Sequence, residues 1–124
     1  MIKTTVDTEH DLTIHKCSGS LIEQELMDTI ESFYGGNPTL YTLWDFSNAS
    51  FDKISNEFLR QMFSIVQRGG SSRQGGKTAV IAPSDLEYGM ARMFQIMSDN
   101  DAFPFKIKVF RSYDEASQWL LSKE

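Results

Sequence analysis

The sequence predicts an α/β domain built on a mostly parallel sheet. Stretches of strand character alternate with stretches of helical periodicity, in the order ββαβαβαβα. Two of the strands, 40–46 (LYTLWDF) and 77–82 (KTAVIA), are nearly continuous apolar runs. That is the pattern of strands covered on both faces, as in the middle of a parallel sheet.

Residues 2–6 (IKTTV) and 11–17 (DLTIHKC) read as the first two strands, with Leu12 and Ile14 alternating against Thr13 and His15. The first is expected to join the sheet antiparallel, and the later strands to follow right-handed crossovers. Ser20 followed by Glu23 forms a capping-box pattern. It predicts a helix over about Leu21 to Tyr34, with Ile22, Leu26, Ile30 and Phe33 on one stripe. Gly35-Gly36-Asn37-Pro38 ends it. After the strand at 40–46 and a polar stretch, Ser55 caps a second helix, Asn56 to Arg68, with a broad apolar face from Phe58 to Val66. The segment 69–76 (GGSSRQGG) reads as a flexible loop. The third helix, Leu86 to Ser98, is expected to pack through Leu86, Met90, Met93, Phe94 and Met97. In the last strand, 106–111, Ile107 and Val109 point inward and Lys106 and Lys108 outward, a charged edge. Ser112 and Glu115 open a final helix carrying Ala116, Trp119 and Leu120.

A chain of 124 residues, 40% apolar and 23% charged, reads as one domain over residues 1–124, large enough to fold without staples. Its net charge of −5 argues against nucleic acid as a partner. The lone Cys17 excludes an internal disulfide and a multi-cysteine zinc site. No apolar run approaches the length of a transmembrane segment, and the N-terminus lacks a signal-peptide pattern, so a cytoplasmic location is expected.

No catalytic, metal or cofactor site emerges from the residues. The stretch from Gly69 to Thr78 ends in Gly-Lys-Thr, but Ser71 stands where a phosphate loop needs its first glycine. A helix precedes it and a strand follows, the reverse of what an anion site at a helix N-terminus requires. Arg68, Arg73 and Lys77 instead form a local basic spot, a candidate anion-binding site. His10, His15 and Cys17 fall short of a zinc ligand set. Cys17 beside His15 lacks any accompanying oxyanion signature. Trp44, inside an apolar run, is expected in the core. The apolar arc of helix 56–68 is wider than one sheet contact needs, and Ile65 lies off its main stripe. That surplus marks either a partner or dimer surface, with Ile65 the candidate dimer-interface residue, or a flank covered by a neighbouring helix.

The element order at this length resembles the STAS superfamily of anti-sigma factor antagonists, and more closely the small bacterial SpoIIAA-like (STAS/SEC14-like) domains. The resemblance is carried by LYTLWDFSNASFDKIS, GGKTAVIAPSDLEYGMARMF and IKVFRSYDEASQWL, with CSGSLIEQEL, about three-quarters of the chain. It implies helices mainly on one side of the sheet and a non-enzymatic module that binds another protein. In that family an acid ending the central strand leads into an Asp-Ser-Ser-Gly-like turn whose Ser is phosphorylated. Here the approach, Trp44 to Phe51, is similar, but the turn is Asp52-Lys53-Ile54-Ser55-Asn56, and Ile54 takes the phosphoacceptor place. The expected partner surface is Ser47, Asn48, Ser50, Phe51, Asp52 and Ser55, with Phe51 as the apolar anchor and Ser55 as a helix cap rather than a phosphoswitch. The alternative is a SEC14-like carrier of a lipid or other small apolar ligand, held between sheet and helices with the basic residues near an anionic head.

Overall fold

The computed structural model describes residues 1–100 and 103–122. Among these, the elements are β1 (Ile2–Asp7), β2 (Leu12–Ser20), α1 (Glu23–Gly35), β3 (Tyr41–Ser50), α2 (Asn56–Gly69), a 3₁₀ turn (Gly70–Arg73), β4 (Lys77–Ile81), α3 (Asp85–Asn100), β5 (Lys106–Phe110) and α4 (Tyr113–Leu121). The five strands form one sheet in the order β1-β2-β3-β4-β5. β1 pairs antiparallel with β2, and every other pair is parallel.

The apolar run in β3 is explained by its two covered faces. Phe46 belongs to a core shared with α1, α2 and α3, and Trp44 packs against that core. Leu43 faces the other way, in a smaller core with Ala79, Ile81, Phe110 and α4's Ala116 and Leu120. Side chains alternate across a strand, so a strand between two cores must be apolar at successive positions. Three helices thus cover one face and α4 the other. On β5, Ile107 and Val109 are buried while Lys106 and Lys108 are exposed at the sheet's edge.

Four local expectations are corrected. Ser20 does not cap α1. It is the last residue of β2, paired with Ser50, and lies two residues ahead of the cap position, which Ile22 occupies. The helix begins at Glu23 behind Ile22, with no side-chain cap, and the fully buried Leu21 anchors it. β3 runs on to Ser50, past the apolar run, because its polar end pairs with Ser18–Ser20 through backbone alone. The segment 69–76 is a packed turn, not a flexible loop. Arg73 in it is 1% exposed, and a Cβ on Gly76 would lie 2.1 Å from the Leu40 carbonyl oxygen, so only glycine fits. On α3, Leu86 and Met93 are exposed; the inward face is Glu87, Met90, Ala91, Phe94 and Ser98.

Candidate functional site

Beyond Lys16, the ends of β2 and β3 project as a paired ribbon, Ser18–Ser20 beside Asn48–Ser50. Parallel sheets commonly present their ligand or partner groups at this carboxyl end. The ribbon and the turn after it form a polar ledge. Ser47 and Asn48 are exposed, and both the Ser47 hydroxyl (2.6 Å) and its N–H (2.9 Å) bond Asp45 Oδ1. Asp52 Oδ1 accepts the hydroxyls of Ser20 and, at 3.1 Å, Ser50. Those two bonds hold the Asp52 carboxyl below the usual carboxylate range. Ser55 caps α2 by accepting the Phe58 N–H at 3.0 Å. Its own N–H and hydroxyl both bond Glu23 Oε2, at 2.9 and 3.0 Å. The ledge is therefore a braced surface of hydroxyls and carboxylates, not a loose loop.

Phe51 does not stand on it. The ring is 5% exposed and packs edge-on against Phe46 at 4.7 Å, so the expected anchor faces the core. Ile54, at the place of the family's phosphoacceptor, is also buried. The large exposed apolar side chains beside the ledge are Ile22 and Leu86, each 52% exposed. Ile22 precedes Glu23, which grips Ser55, and Leu86 precedes Glu87, whose carboxylate accepts the Phe51 N–H. Sequence reasoning counted both residues as inward helix positions.

The three basic residues do not converge. Arg68 is exposed on α2. Lys77 is 4% exposed, and its ammonium bonds the Trp119 and Ser122 carbonyls and the Ser122 hydroxyl, closing the C-terminal end of α4. Arg73 is folded into the opposite layer. Its Nε donates to Thr39 O at 3.0 Å, Nη2 to Leu40 O, Lys77 O and Thr42 Oγ1, and Nη1 to Tyr34 Oη at 3.2 Å. The guanidinium carbon lies 4.2 Å from the centre of the Phe105 ring. The basic spot expected from the sequence is thereby dissolved, because carbonyls at the starts of β3 and β4 draw Arg73 inward and those at the end of α4 draw Lys77.

Arg73 also borders a cavity of about 100 Å³ between the sheet and the three helices. Its wall is almost wholly apolar, with Ile30, Trp44, Met62, Val80, Met90 and Phe94 among its residues. Residues of α1, α2 and α3 bound this space on the helix side, and residues of β3, β4 and β5 on the sheet side.

Ile65 is half-buried against the main core, so the width of α2's apolar arc is used within the chain. His15 is 1% exposed, its ring 4.0 Å from that of Trp44, with Nδ1 bonded to the Thr4 hydroxyl at 2.9 Å. Burial, with the nearby Arg73 charge, lowers its pKa to about 4. Burial pushes the Cys17 thiol up to about 12, so the pair offers no thiolate at neutral pH. His10 lies apart on the β1–β2 turn, bonded to Asp7 at 2.8 Å.

No family model matches the chain, and no curated protein does. Among solved structures, it is similar to the anti-sigma factor antagonist SpoIIAA in its unphosphorylated form. The TM-score is 0.53 and the identity 14%, over 96% of this chain and 96% of that one. The chain has the STAS fold. A STAS sheet covered chiefly on one side by its helices matches the expectation for the architecture. None of the described helices is long and apolar enough to cross a membrane.

Proposed function

We propose that this STAS domain is a non-catalytic, cytoplasmic interaction module that binds another protein through the ledge at the ends of β2 and β3. The observation that carries the reading is the ledge itself: exposed Ser47, Asn48, Asp52 and Ser55, braced by Asp45 and Glu23 and flanked by exposed Ile22 and Leu86. Protein contacts combine apolar anchors with a polar surround, and pre-braced side chains lose little entropy on binding. SpoIIAA, an anti-sigma factor antagonist of the same fold, supports a protein as the partner. The turn 52–56 carries no phosphoserine switch in this reading, because Ile54 is core and the Ser55 hydroxyl sits against a carboxylate. A photo-cross-linking residue at Asn48, compared with one at exposed Gln118 on α4, tests it in the native host. One protein captured at Asn48 alone, and lost when Ile22 and Leu86 become Glu, is expected. Equal capture at both positions would overturn it.

The cavity favours a second reading, the ligand carrier. Its volume of about 100 Å³ is below that of a cavity known to hold benzene, roughly 150 Å³. A lipid chain does not fit it as it stands; a small apolar group does. Native mass spectrometry of protein from its own host separates the readings: a carrier retains a small added mass.

A further inference from the structure

We infer that the cavity beneath α2 is a site for a small apolar monocarboxylate, held by Arg73 and Tyr34. The inference rests on the carrier reading and narrows it to one class of ligand. A guanidinium has five N–H donors. The Nε donor goes to Thr39 O, and the two on Nη2 are shared among Leu40 O, Thr42 Oγ1 and Lys77 O. Of the two on Nη1, one goes to Tyr34 Oη. The other has no acceptor among the described residues. Tyr34 Oη accepts that bond, and its own hydrogen has no acceptor among them either. Two donors from neighbouring atoms thus stand unused, on two residues that both border the cavity.

Charge points the same way. Arg73 is 1% exposed, yet every oxygen bonded to it is neutral, and no described carboxylate lies within ion-pair distance. A buried charge without an opposite charge is unfavourable, and aromatic faces at Phe105 and Phe33 offset it only in part. A carboxylate supplies what is missing: one negative charge and two acceptor oxygens spaced for adjacent donors. The rest of the wall is hydrocarbon apart from Thr42 and Thr78, whose hydroxyls bond each other at 2.8 Å. A space about two-thirds of the benzene-holding one limits the body to about four carbons. Met62 and Met90 in the wall can adjust to its shape. Arg68 and Lys77, expected beside the same head group, take no part.

Titration with 3-methylbutanoate and with 3-methylbutanol, followed by calorimetry and by the Arg73 Nε–H signal in NMR, tests this. The acid is expected to bind at least tenfold more tightly than the alcohol and to shift the Arg73 signal. Ala91→Leu, which fills the cavity from α3 and leaves the Arg73 side chain itself unaltered, is expected to abolish binding of both. Arg73→Gln is expected to remove the preference for the acid; if it does not fold, Ala91→Leu still decides. An alcohol that binds as tightly as the acid would overturn the inference and leave the carrier reading intact. Binding of neither would overturn both. Acid binding that survives Ala91→Leu with Arg73 unshifted would place the anion elsewhere and overturn the inference.

Discussion

The Glu87 carboxylate on α3 accepts the backbone N–H of Phe51 at 2.9 Å, and both residues are 5% exposed. One buried bond thus joins the turn of the ledge to the helix that walls the cavity. Removing the acceptor leaves a buried N–H unpaired, which costs about 1–3 kcal/mol. Glu87→Leu is expected to lower stability by that amount in urea denaturation, while Glu87→Gln, which keeps a carbonyl oxygen in place, loses less. Equal losses in the two variants would show that the bond is not what holds the turn.

Ser55 and Glu23 make a second brace, between α2 and α1. Ser55→Ala is expected to cost about 1 kcal/mol through the lost cap. Asp is as good a cap as Ser, but here it would set a second carboxylate against Glu23 Oε2. Ser55→Asp should therefore be less stable than its capping ability suggests, and Glu23→Gln should restore part of the loss. Thermal melts of the two single variants and the double variant read that coupling directly.

His15 makes the fold acid-sensitive. It is held neutral in the folded chain, with a pKa of about 4 against about 6.5 when unfolded. Its stabilising contribution is fully present above about pH 6.5 and is lost as pH falls towards 4, since only the unfolded chain gains the proton in that window. The loss is on the order of 3 kcal/mol. Denaturant midpoints of the native protein should fall between pH 7 and pH 4 more than those of His15→Gln. Parallel pH profiles would rule out His15 as the source.

Trp44 is half-buried rather than fully enclosed, with its ring against His15 and Phe46 and one side on the cavity. Trp44→Ala is expected to cost about 3 kcal/mol, the lower end for a large aromatic. An unchanged melting temperature would contradict its packing.

The element order was legible because period-two and helical patterns are local properties of a chain. The caps at Ser55 and Ser112 were legible for the same reason, each reaching three residues along its own helix. What escaped depends on distant partners. Glu23 reads as a capping-box acid, but its carboxylate serves Ser55, 32 positions away, and Glu87 in the first turn of α3 serves Phe51, 36 positions away. GGSSRQGG has the composition of a linker, and nothing local shows that Arg73 will meet carbonyl oxygens from Thr39, Leu40 and Lys77. Phe51 was placed outside because it lies in a polar stretch; the turn at 51–54 rotates it inward.

The sheet's spatial order repeats the order of the chain. No strand must be inserted between two already formed, so the sheet can grow by accretion at one edge. Each pairing closes no more than a single hairpin or crossover, which keeps loop-closure entropy small and favours rapid folding. On a ribosome, β1 and β2 can pair before β3 is made, and each later strand finds its docking edge waiting. The half-built sheet shows a growing edge to its surroundings only until the charged β5, with Lys106 and Lys108 outward, closes it.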